Sequence, residues 1–184
     1  MVLLHSEKTK LGIPAPDFSL KSVDGKTCSL GDFSDKKILI MMFICNHCPY
    51  VKAIEDRIIQ FQRDYADKGV QLVGICSNDA TDYPEDSPKN LERRWREKDY
   101  RFPYLVDESQ DTARAYGAVC TPDIFVYDGN RKLVYHGRYD DHWQDAREVK
   151  RQNLREAVDS LLAGQKVSPD QAPSMGCSIK WKKG

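Results

Sequence analysis

The chain has 184 residues, of which 28 are basic and 28 are acidic, so its formal net charge is zero. This length fits one domain with a hydrophobic core and is short for two. Balanced charge provides no basic surface for nucleic acid or anionic lipid, and the longest apolar run is far too short to cross a membrane. We therefore expect a globular protein that binds neither nucleic acid nor a membrane.

The first ten residues do not have the pattern of a secretory signal, because their apolar patch is short and no small-residue cleavage site follows. The chain has six cysteines. In a reducing compartment, catalytic or buried thiols are more common than a framework of disulfides. We therefore expect a cytoplasmic protein.

Two short segments near the N-terminus, residues 17–20 and 27–30, alternate polar and apolar side chains on either side of Asp24-Gly25. This pattern is typical of a β-hairpin with a tight turn. Cys28 lies in the second segment, where a small buried strand residue is a more common role than a reactive thiol.

The sequence Cys-Asn-His-Cys-Pro at residues 45–49 lies between a continuous apolar run, residues 38–44, and an amphipathic segment, residues 51–65. The run predicts a strand buried on both faces, and the spacing of three and four in the segment predicts a helix. Pro49 lacks an N–H group and is expected in the first helical turn. The helix should therefore begin between the two cysteines.

A cysteine at the start of a helix is suited to redox chemistry, because unbonded N–H groups and the positive end of the helix dipole stabilise a thiolate. We predict that Cys45 is the nucleophile and that Cys48 closes a disulfide and releases the captured group. Asn46 and His47 are the inner residues of the motif. A protonated His47 would add a positive charge beside the sulfurs.

Two other interpretations of the C-x-x-C motif remain open. The pair is also half of a zinc site, to which His47 could add a ligand, although the other cysteines form no second C-x-x-C. The second interpretation is a pair of buried cysteines without chemistry. We favour redox cysteines, and we predict no metal and no other cofactor.

A second apolar run at residues 70–75 follows the motif helix, which predicts a βαβ unit with two parallel strands. Ser87-Pro88 predicts the start of another helix, with serine as the N-cap. The remaining predicted elements are a strand at 102–106, a helix at 109–116, a hairpin of residues 124–127 and 133–136, and a final helix at 154–162.

This order of elements resembles the thioredoxin fold in its redoxin form, near the peroxiredoxin-like branch that includes alkyl hydroperoxide reductase and thiol-specific antioxidant proteins. The resemblance covers about residues 15–162. It implies an α/β fold of three layers, with a central mixed sheet between helices and an N-terminal hairpin extension. The motifs that carry it are Ala15-Pro16-Asp17-Phe18 with Asp24-Gly25-Lys26, the C-x-x-C, Thr121-Pro122, and Gly137-Arg138 with Asp140.

The resemblance also implies roles for single residues. A cis peptide is expected at Thr121-Pro122, in a loop that faces the C-x-x-C and presents its backbone to an extended peptide or a disulfide. Cys120 would then lie close to the motif as a further redox cysteine. Arg114 and Arg138 are candidates for the arginine that stabilises the thiolate in this family.

The leading hypothesis is a thiol–disulfide oxidoreductase that cycles Cys45 and Cys48, with a protein disulfide as substrate and a cellular thiol as reductant. An alternative is a thiol-dependent peroxidase in which Cys48, Cys120 or Cys177 resolves the oxidised cysteine, although Cys45 replaces the threonine that orients peroxide in classical peroxiredoxins. A metal-binding module that uses Cys45, His47 and Cys48 is a third hypothesis. The histidine predicts a weaker reductant than thioredoxin, because stabilising the thiolate raises the reduction potential.

The expected redoxin domain is residues 1–164, and residues 165–184 form a C-terminal tail without a clear period. Ile179 and Trp181 give this tail apolar surface to bury, and Cys177 gives it a thiol. We nevertheless expect the tail to be disordered, since terminal segments usually are unless they are tied to the fold.

Overall fold

The computed structural model describes residues 3–183. Within that range it has four α-helices and ten strands, and no helix is both long and apolar enough to cross a membrane. The helices are α1 (Pro49–Tyr65), α2 (Pro88–Glu97), α3 (Asp111–Tyr116) and α4 (Asn153–Leu162). The strands are β1 (Leu3–His5), β2 (Ser19–Ser22), β3 (Thr27–Ser29), β4 (Ile38–Phe43), β5 (Val70–Cys76), β6 (Tyr104–Val106), β7 (Cys120–Thr121), β8 (Asp123–Tyr127), β9 (Leu133–His136) and β10 (Met175–Ser178).

Seven of the strands form a mixed sheet in the order β3-β2-β6-β5-β4-β8-β9. The central strands β4, β5 and β6 are parallel, with Ile38 opposite Val70, and β8 runs antiparallel to β4. The three predicted layers and the βαβ unit are therefore confirmed.

Strand β4 is buried on both faces because all six of its residues are apolar. Its even-numbered side chains pack in one cluster with side chains from α1, α2 and α4, and its odd-numbered side chains pack in a second cluster with α3 and the N-terminal segment. This burial fixes the end of β4, and hence the motif that follows it, in the middle of the sheet edge.

The N-terminal hairpin is confirmed, since β2 and β3 pair antiparallel around Gly25, which has a φ of +88°. Strand β2 begins at Ser19, two residues later than predicted, because the Asp17 side chain accepts the N–H of Phe18 and bends the chain there. The hairpin is also a part of the main sheet, because β2 pairs with β6.

Helix α1 begins at Pro49, with Cys48 as its N-cap. The prediction that the helix begins between the two cysteines is therefore wrong by a small margin. The N–H groups of Asn46 and His47 both donate to the Asp86 carboxylate, at 2.7 and 3.2 Å. This carboxylate holds the inner motif residues outside the helix.

The tail folds back as strand β10, which lies between β1 and β7 in a second, three-stranded antiparallel sheet. The disorder expected for the tail is therefore wrong. Ser6 donates its N–H to Ser174 at 2.9 Å, and Ile179 donates to Val119 at 3.0 Å. Ile179 also fills the core, so the tail gains both hydrogen bonds and buried apolar area.

Candidate dithiol site

The two motif cysteines lie where β4 ends and α1 begins, and all six cysteines are thiols in this structure. The side chains of Cys45 and Cys48 are 2% and 0% exposed. Their sulfurs share a hydrogen bond. The position therefore brings two thiols within reach of a disulfide bond and shields both of them from water.

One proton is shared unequally by these two sulfurs. The pKa of Cys48 is lowered to about 5, first by the hydrogen bond from Cys45 and, against the effect of burial, by donors on Thr121, Val51 and Cys177. The pKa of Cys45 is raised by burial, by its hydrogen bond to Cys48 and by the charge of Asp86. Cys45 thus keeps its proton and donates it towards a Cys48 thiolate.

These directions favour Cys48 as the thiolate, whereas the sequence predicted Cys45 as the nucleophile. The physical reason is the position of the helix start. Because Cys48 is the N-cap of α1, its sulfur lies at the first turn, and the backbone N–H of Val51 is one of the groups that lower its pKa. Cys45 lies before the helix, and the carboxylate of Asp86 is among its neighbours.

The loop at Thr121-Pro122 faces both sulfurs, and its peptide bond is cis, as predicted. The Cys45 sulfur lies 3.4 Å from the Thr121 hydroxyl, and the Cys48 sulfur lies 3.0 Å from the Thr121 carbonyl oxygen. That carbonyl accepts the S–H of protonated Cys48 and opposes its ionisation. The donors around Cys48 outnumber this single acceptor, so the lowered pKa prevails.

His47 lies in the motif with its ring directed at a carboxylate. Its Nδ1 is 2.5 Å from Asp86 Oδ2, and its ring stacks on Tyr83 with centroids 4.6 Å apart. Burial raises the pKa of Asp86, but the hydrogen bonds from His47, Asn78 and the Asn46 N–H, together with the charge of His47, leave it lowered overall. Any positive charge on His47 is therefore balanced by a buried carboxylate, which the sequence prediction did not include.

The inner pair of the motif leaves two buried polar atoms without a hydrogen-bond partner among the described residues, Asn46 Oδ1 and His47 Nε2. The amide nitrogen of Asn46 is bound, since it donates to the carbonyl oxygens of Glu85 and Asn90, each at 3.0 Å. Pro49 occupies the first turn of α1, where its missing N–H is not needed. Most buried polar atoms in proteins are hydrogen-bonded, so these two atoms are exceptions within the motif.

The other predicted residues lie at different distances from this chemistry. Cys120 is buried with its sulfur 3.6 Å from the Pro122 carbonyl oxygen, and burial raises its pKa. The Arg114 guanidinium lies 4.6 Å from the centre of the Trp181 ring, and Arg138 donates to Asn153 at 2.9 Å. The two arginines are thus engaged elsewhere, and the donors to Cys48 are a thiol, a hydroxyl and backbone N–H groups instead.

The cysteine of the tail does reach the site. Cys177 is 1% exposed, and its side chain hydrogen-bonds Cys48. Burial, that hydrogen bond and the charge of Cys48 together raise the pKa of Cys177 to about 12. The site therefore contains three cysteines, and Cys48 lies between the other two.

Sequence reasoning missed three polar residues that shape the site. Asp86 binds the motif backbone, and Asp123 accepts the N–H of Val119 across the Thr-Pro loop. His136 Nε2 lies 2.8 Å from Asp123 Oδ1. The only sequence signal for any of them is that Asp123 directly follows Thr121-Pro122, whereas Asp86 and His136 lie far from both motifs in the chain.

One set of donor atoms could hold a metal ion among the described residues. An Sγ of Cys45, a ring nitrogen of His47 and a carboxylate oxygen of Asp86 all lie within 4.8 Å of one another. Binding would require a Cys45 thiolate, whose pKa is raised, and would compete with the bond between His47 and Asp86. The donor set is therefore less prepared for a metal than for a disulfide.

Comparison with known proteins gives a consistent result. A family model described as the AhpC/TSA family matches residues 11–136. The thiol-disulfide oxidoreductase ResA of Bacillus thuringiensis subsp. konkukian is 24% identical over 169 residues, which span 89% of this chain and 82% of that protein. A crystal structure of an uncharacterized conserved protein from Geobacillus kaustophilus is 45% identical, with a TM-score of 0.95 over 100% of this chain and 98% of that one.

The fold is shared more widely than the sequence. The thioredoxin domain of a thiol-disulfide oxidoreductase from Bacteroides vulgatus superposes with a TM-score of 0.65 at 18% identity, over 84% of this chain and 99% of that one. The predicted thioredoxin-like fold is therefore confirmed.

Proposed function

Because the chain belongs to the AhpC/TSA family, we propose that it is a thiol–disulfide oxidoreductase whose Cys45 and Cys48 cycle between a dithiol and a disulfide. The observation that carries this proposal is the hydrogen-bonded pair of sulfurs at the N-terminus of α1, with the pKa of Cys48 lowered to about 5. The similarity to ResA supports the same reaction class.

The first step is attack by the Cys48 thiolate on one sulfur of a substrate disulfide. A bond forms between Cys48 and that sulfur, the substrate S–S bond breaks, and the second substrate sulfur leaves as a thiolate that takes a proton from solvent. In the mixed disulfide, Cys48 has no charge. One cause of the raised pKa of Cys45 is thereby removed, so Cys45 becomes easier to ionise at the moment when it is needed.

The second step is attack by Cys45 on the sulfur of Cys48. The Cys45–Cys48 bond forms, the mixed disulfide breaks, and the proton of Cys45 goes to the departing substrate thiolate. The substrate disulfide has then gained two electrons and the protein has lost two. A cellular thiol restores the dithiol by the same exchange in reverse order.

An external disulfide reaches Cys48 only if a covering segment moves, because both motif side chains are buried. The Thr121-Pro122 loop contributes the hydroxyl and the carbonyl that contact the sulfurs. A substrate of extended shape would align along this loop, and a protein disulfide fits that description.

The experiment compares two oxidants on the fully reduced protein, a small disulfide and stoichiometric hydrogen peroxide, followed by tryptic mapping. Residues 38–52 form one tryptic peptide that contains both motif cysteines. We expect the small disulfide to produce the Cys45–Cys48 bond inside this peptide and peroxide to react slowly. Cys28→Ser is the control, since Cys28 lies in β3 away from the site.

Fast reaction with peroxide that ends in a defined disulfide would replace the oxidoreductase with a thiol-dependent peroxidase. If neither oxidant forms the bond, the redox proposal fails. The donor set of Cys45, His47 and Asp86 then makes metal binding the second candidate function. The metal content of protein purified without a chelator tests that candidate directly.

A further inference from the structure

The tail strand places a third thiol at the reacting sulfur. Residues of β10 and β7 pair antiparallel, with Cys177 opposite Thr121. Thr121 is also the residue whose carbonyl oxygen lies 3.0 Å from the Cys48 sulfur. Cys177 reaches Cys48 twice, because its side chain and its backbone N–H both hydrogen-bond that sulfur.

Close packing of the tail fixes this position. At Gly176 a Cβ atom would lie 1.9 Å from the Thr121 carbonyl oxygen, so only glycine allows β10 to lie this close to the loop. On either side of the strand, the Ser174 hydroxyl donates to Gly137 at 2.7 Å and the N–H of Ile179 donates to Val119 at 3.0 Å. The Cys177 sulfur is therefore held beside Cys48 by contacts that precede and follow it.

We propose that Cys177 is a third redox cysteine, which competes with Cys45 for a disulfide bond to Cys48. The oxidised protein then holds either a Cys45–Cys48 or a Cys48–Cys177 disulfide. This inference rests on the proposed function, which supplies the first disulfide. The exchange moves no electrons. The Cys177 thiolate attacks Cys48, the Cys48–Cys177 bond forms, the Cys45–Cys48 bond breaks, and Cys45 leaves as a thiolate that takes the proton lost by Cys177.

The two disulfides differ only in the partner of Cys48. The pKa values of both partners, Cys45 and Cys177, are raised, chiefly by burial. The charge on Cys48 that adds to both shifts is absent once Cys48 is in a disulfide. Exchange to Cys177 returns Cys45 to the thiol form while the protein stays oxidised, and it ties β10 covalently to the start of α1.

Cys120 provides a matched control for Cys177. It is buried in the neighbouring strand, one residue from Thr121, and burial raises its pKa in the same way. Its sulfur is directed at the Pro122 carbonyl oxygen at 3.6 Å, and Ser178 is its partner across the strands. Cys120 therefore shares the burial of Cys177 and its place beside the loop, and it is exposed to the charge of Cys48. Cys177 in addition hydrogen-bonds the Cys48 sulfur.

The test uses the full chain with Cys45→Ser, which removes the first disulfide and leaves Cys48 with Cys177 as its neighbour. Reduced protein is treated with glutathione disulfide and digested with trypsin. Cys48 lies in peptide 38–52, Cys177 in peptide 167–180, and Cys120 in peptide 115–131. We expect a crosslink between peptides 38–52 and 167–180, and release of glutathione from Cys48 about tenfold faster or more than in Cys45→Ser/Cys177→Ser.

Cys120→Ser in the same background should leave both results unchanged. A glutathione adduct that persists on Cys48, or a crosslink of peptide 38–52 to peptide 115–131, would overturn the role of Cys177. Where Cys45→Ser does not fold, the wild-type protein decides, since a Cys48–Cys177 bond joins the two peptides and a Cys45–Cys48 bond does not. If wild-type protein forms only the bond within peptide 38–52, the proposed function stands and the exchange is excluded. If it forms neither bond, the proposed function itself fails.

Discussion

Two buried histidine–aspartate pairs lie at the dithiol site, one on each of the segments that meet there. In the motif, His47 Nδ1 is 2.5 Å from Asp86, and beside the cis peptide, His136 Nε2 is 2.8 Å from Asp123. The second ring nitrogen of His136 is bound by the Thr9 hydroxyl at 2.8 Å, whereas the second nitrogen of His47 has no partner among the described residues. We therefore call His136–Asp123 the complete pair and His47–Asp86 the incomplete pair, according to whether the second ring nitrogen has a partner.

The two pairs hold different segments of the site. Asp123 also accepts the N–H of Val119, so the complete pair fixes the loop that carries Thr121. Asp86 accepts two motif N–H groups, so the incomplete pair fixes the motif and still presents an unused nitrogen. A saturated buried pair stabilises one conformation, whereas an open position can interact with a substrate or with a changing sulfur charge.

The largest expected effect comes from the complete pair. Asp123→Asn removes a carboxylate that is fully buried with its histidine, and we expect the free energy of unfolding to fall by about 3 kcal/mol or more. Urea unfolding of the reduced protein measures this loss. The control is Asp35→Asn, an exposed carboxylate paired with Lys36, which should leave the urea midpoint unchanged. If the free energy of unfolding falls equally in the two variants, the His136–Asp123 pair has no special role in stability.

The next effect concerns the Cys48 thiolate, which lies in the same motif as the incomplete pair. Because the pKa of Cys48 is lowered to about 5, its reactivity should be constant near neutral pH and should fall as the pH drops through about 5, where the thiolate gains a proton. Alkylation by iodoacetamide, followed on peptide 38–52 by mass spectrometry, measures the profile.

The hydrogen bond from Cys45 is the largest cause of this low pKa. Cys45→Ala should therefore move the profile of Cys48 towards higher pH, whereas Cys76→Ala should leave it in place. Cys76 lies at the end of the neighbouring strand β5, and burial raises its pKa. A Cys48 profile with its midpoint near that of an ordinary thiol would show that the thiolate lies on the other motif cysteine.

A smaller effect distinguishes the two histidines. Any positive charge on the His47 ring offsets the carboxylate of Asp86, whose charge raises the pKa of Cys45. His47→Gln should therefore disfavour a thiolate and make the protein a stronger reductant, with its equilibrium constant in glutathione buffers shifted by about tenfold. His136→Gln should shift that constant by less than about twofold in protein that remains folded. Wild-type protein should be a weaker reductant than thioredoxin, and a potential at or below that of thioredoxin would contradict this.

The smallest effect comes from the aromatic ring that stacks on the incomplete pair. Tyr83→Leu removes the ring 4.6 Å from His47, and we expect the free energy of unfolding to fall by about 1 kcal/mol. The matched control is Tyr83→Phe, which keeps the stack and should lose less than about 0.5 kcal/mol. Differential scanning calorimetry of the three proteins compares them under one condition.

Much of the frame could be predicted because its signals are local. Each signal is contained in a short stretch of sequence. Examples are the apolar run of β4, the periodic residues of α1, Ser87-Pro88 at the start of α2 and the Asp-Gly turn. Hydrophobic period, capping and turn chemistry are properties of such short windows. The position of the C-x-x-C at the edge of the sheet follows from them.

The polar contacts of the site could not be predicted in the same way. Asp86 is 40 residues from Asn46, and Thr9 is 127 residues from His136. No pattern in a short window specifies which carboxylate comes to which N–H group, because that choice depends on how the loops pack. The pKa directions depend on those contacts, so the sequence alone could not indicate which of the two motif cysteines has the lowered pKa.

The sequence by itself determined a pair of cysteines at a strand-to-helix junction, since period, spacing and proline chemistry act locally. Its resemblance to the redoxins implied the thioredoxin-like fold and a Thr-Pro loop that faces the cysteines. Only the tertiary structure decided that Cys48 holds the low-pKa sulfur and that the tail is a strand with Cys177 at its side. Both outcomes depend on hydrogen bonds and burial between distant parts of the chain. A thiol acquires its reactivity from the donors that surround it, and folding assembles those donors.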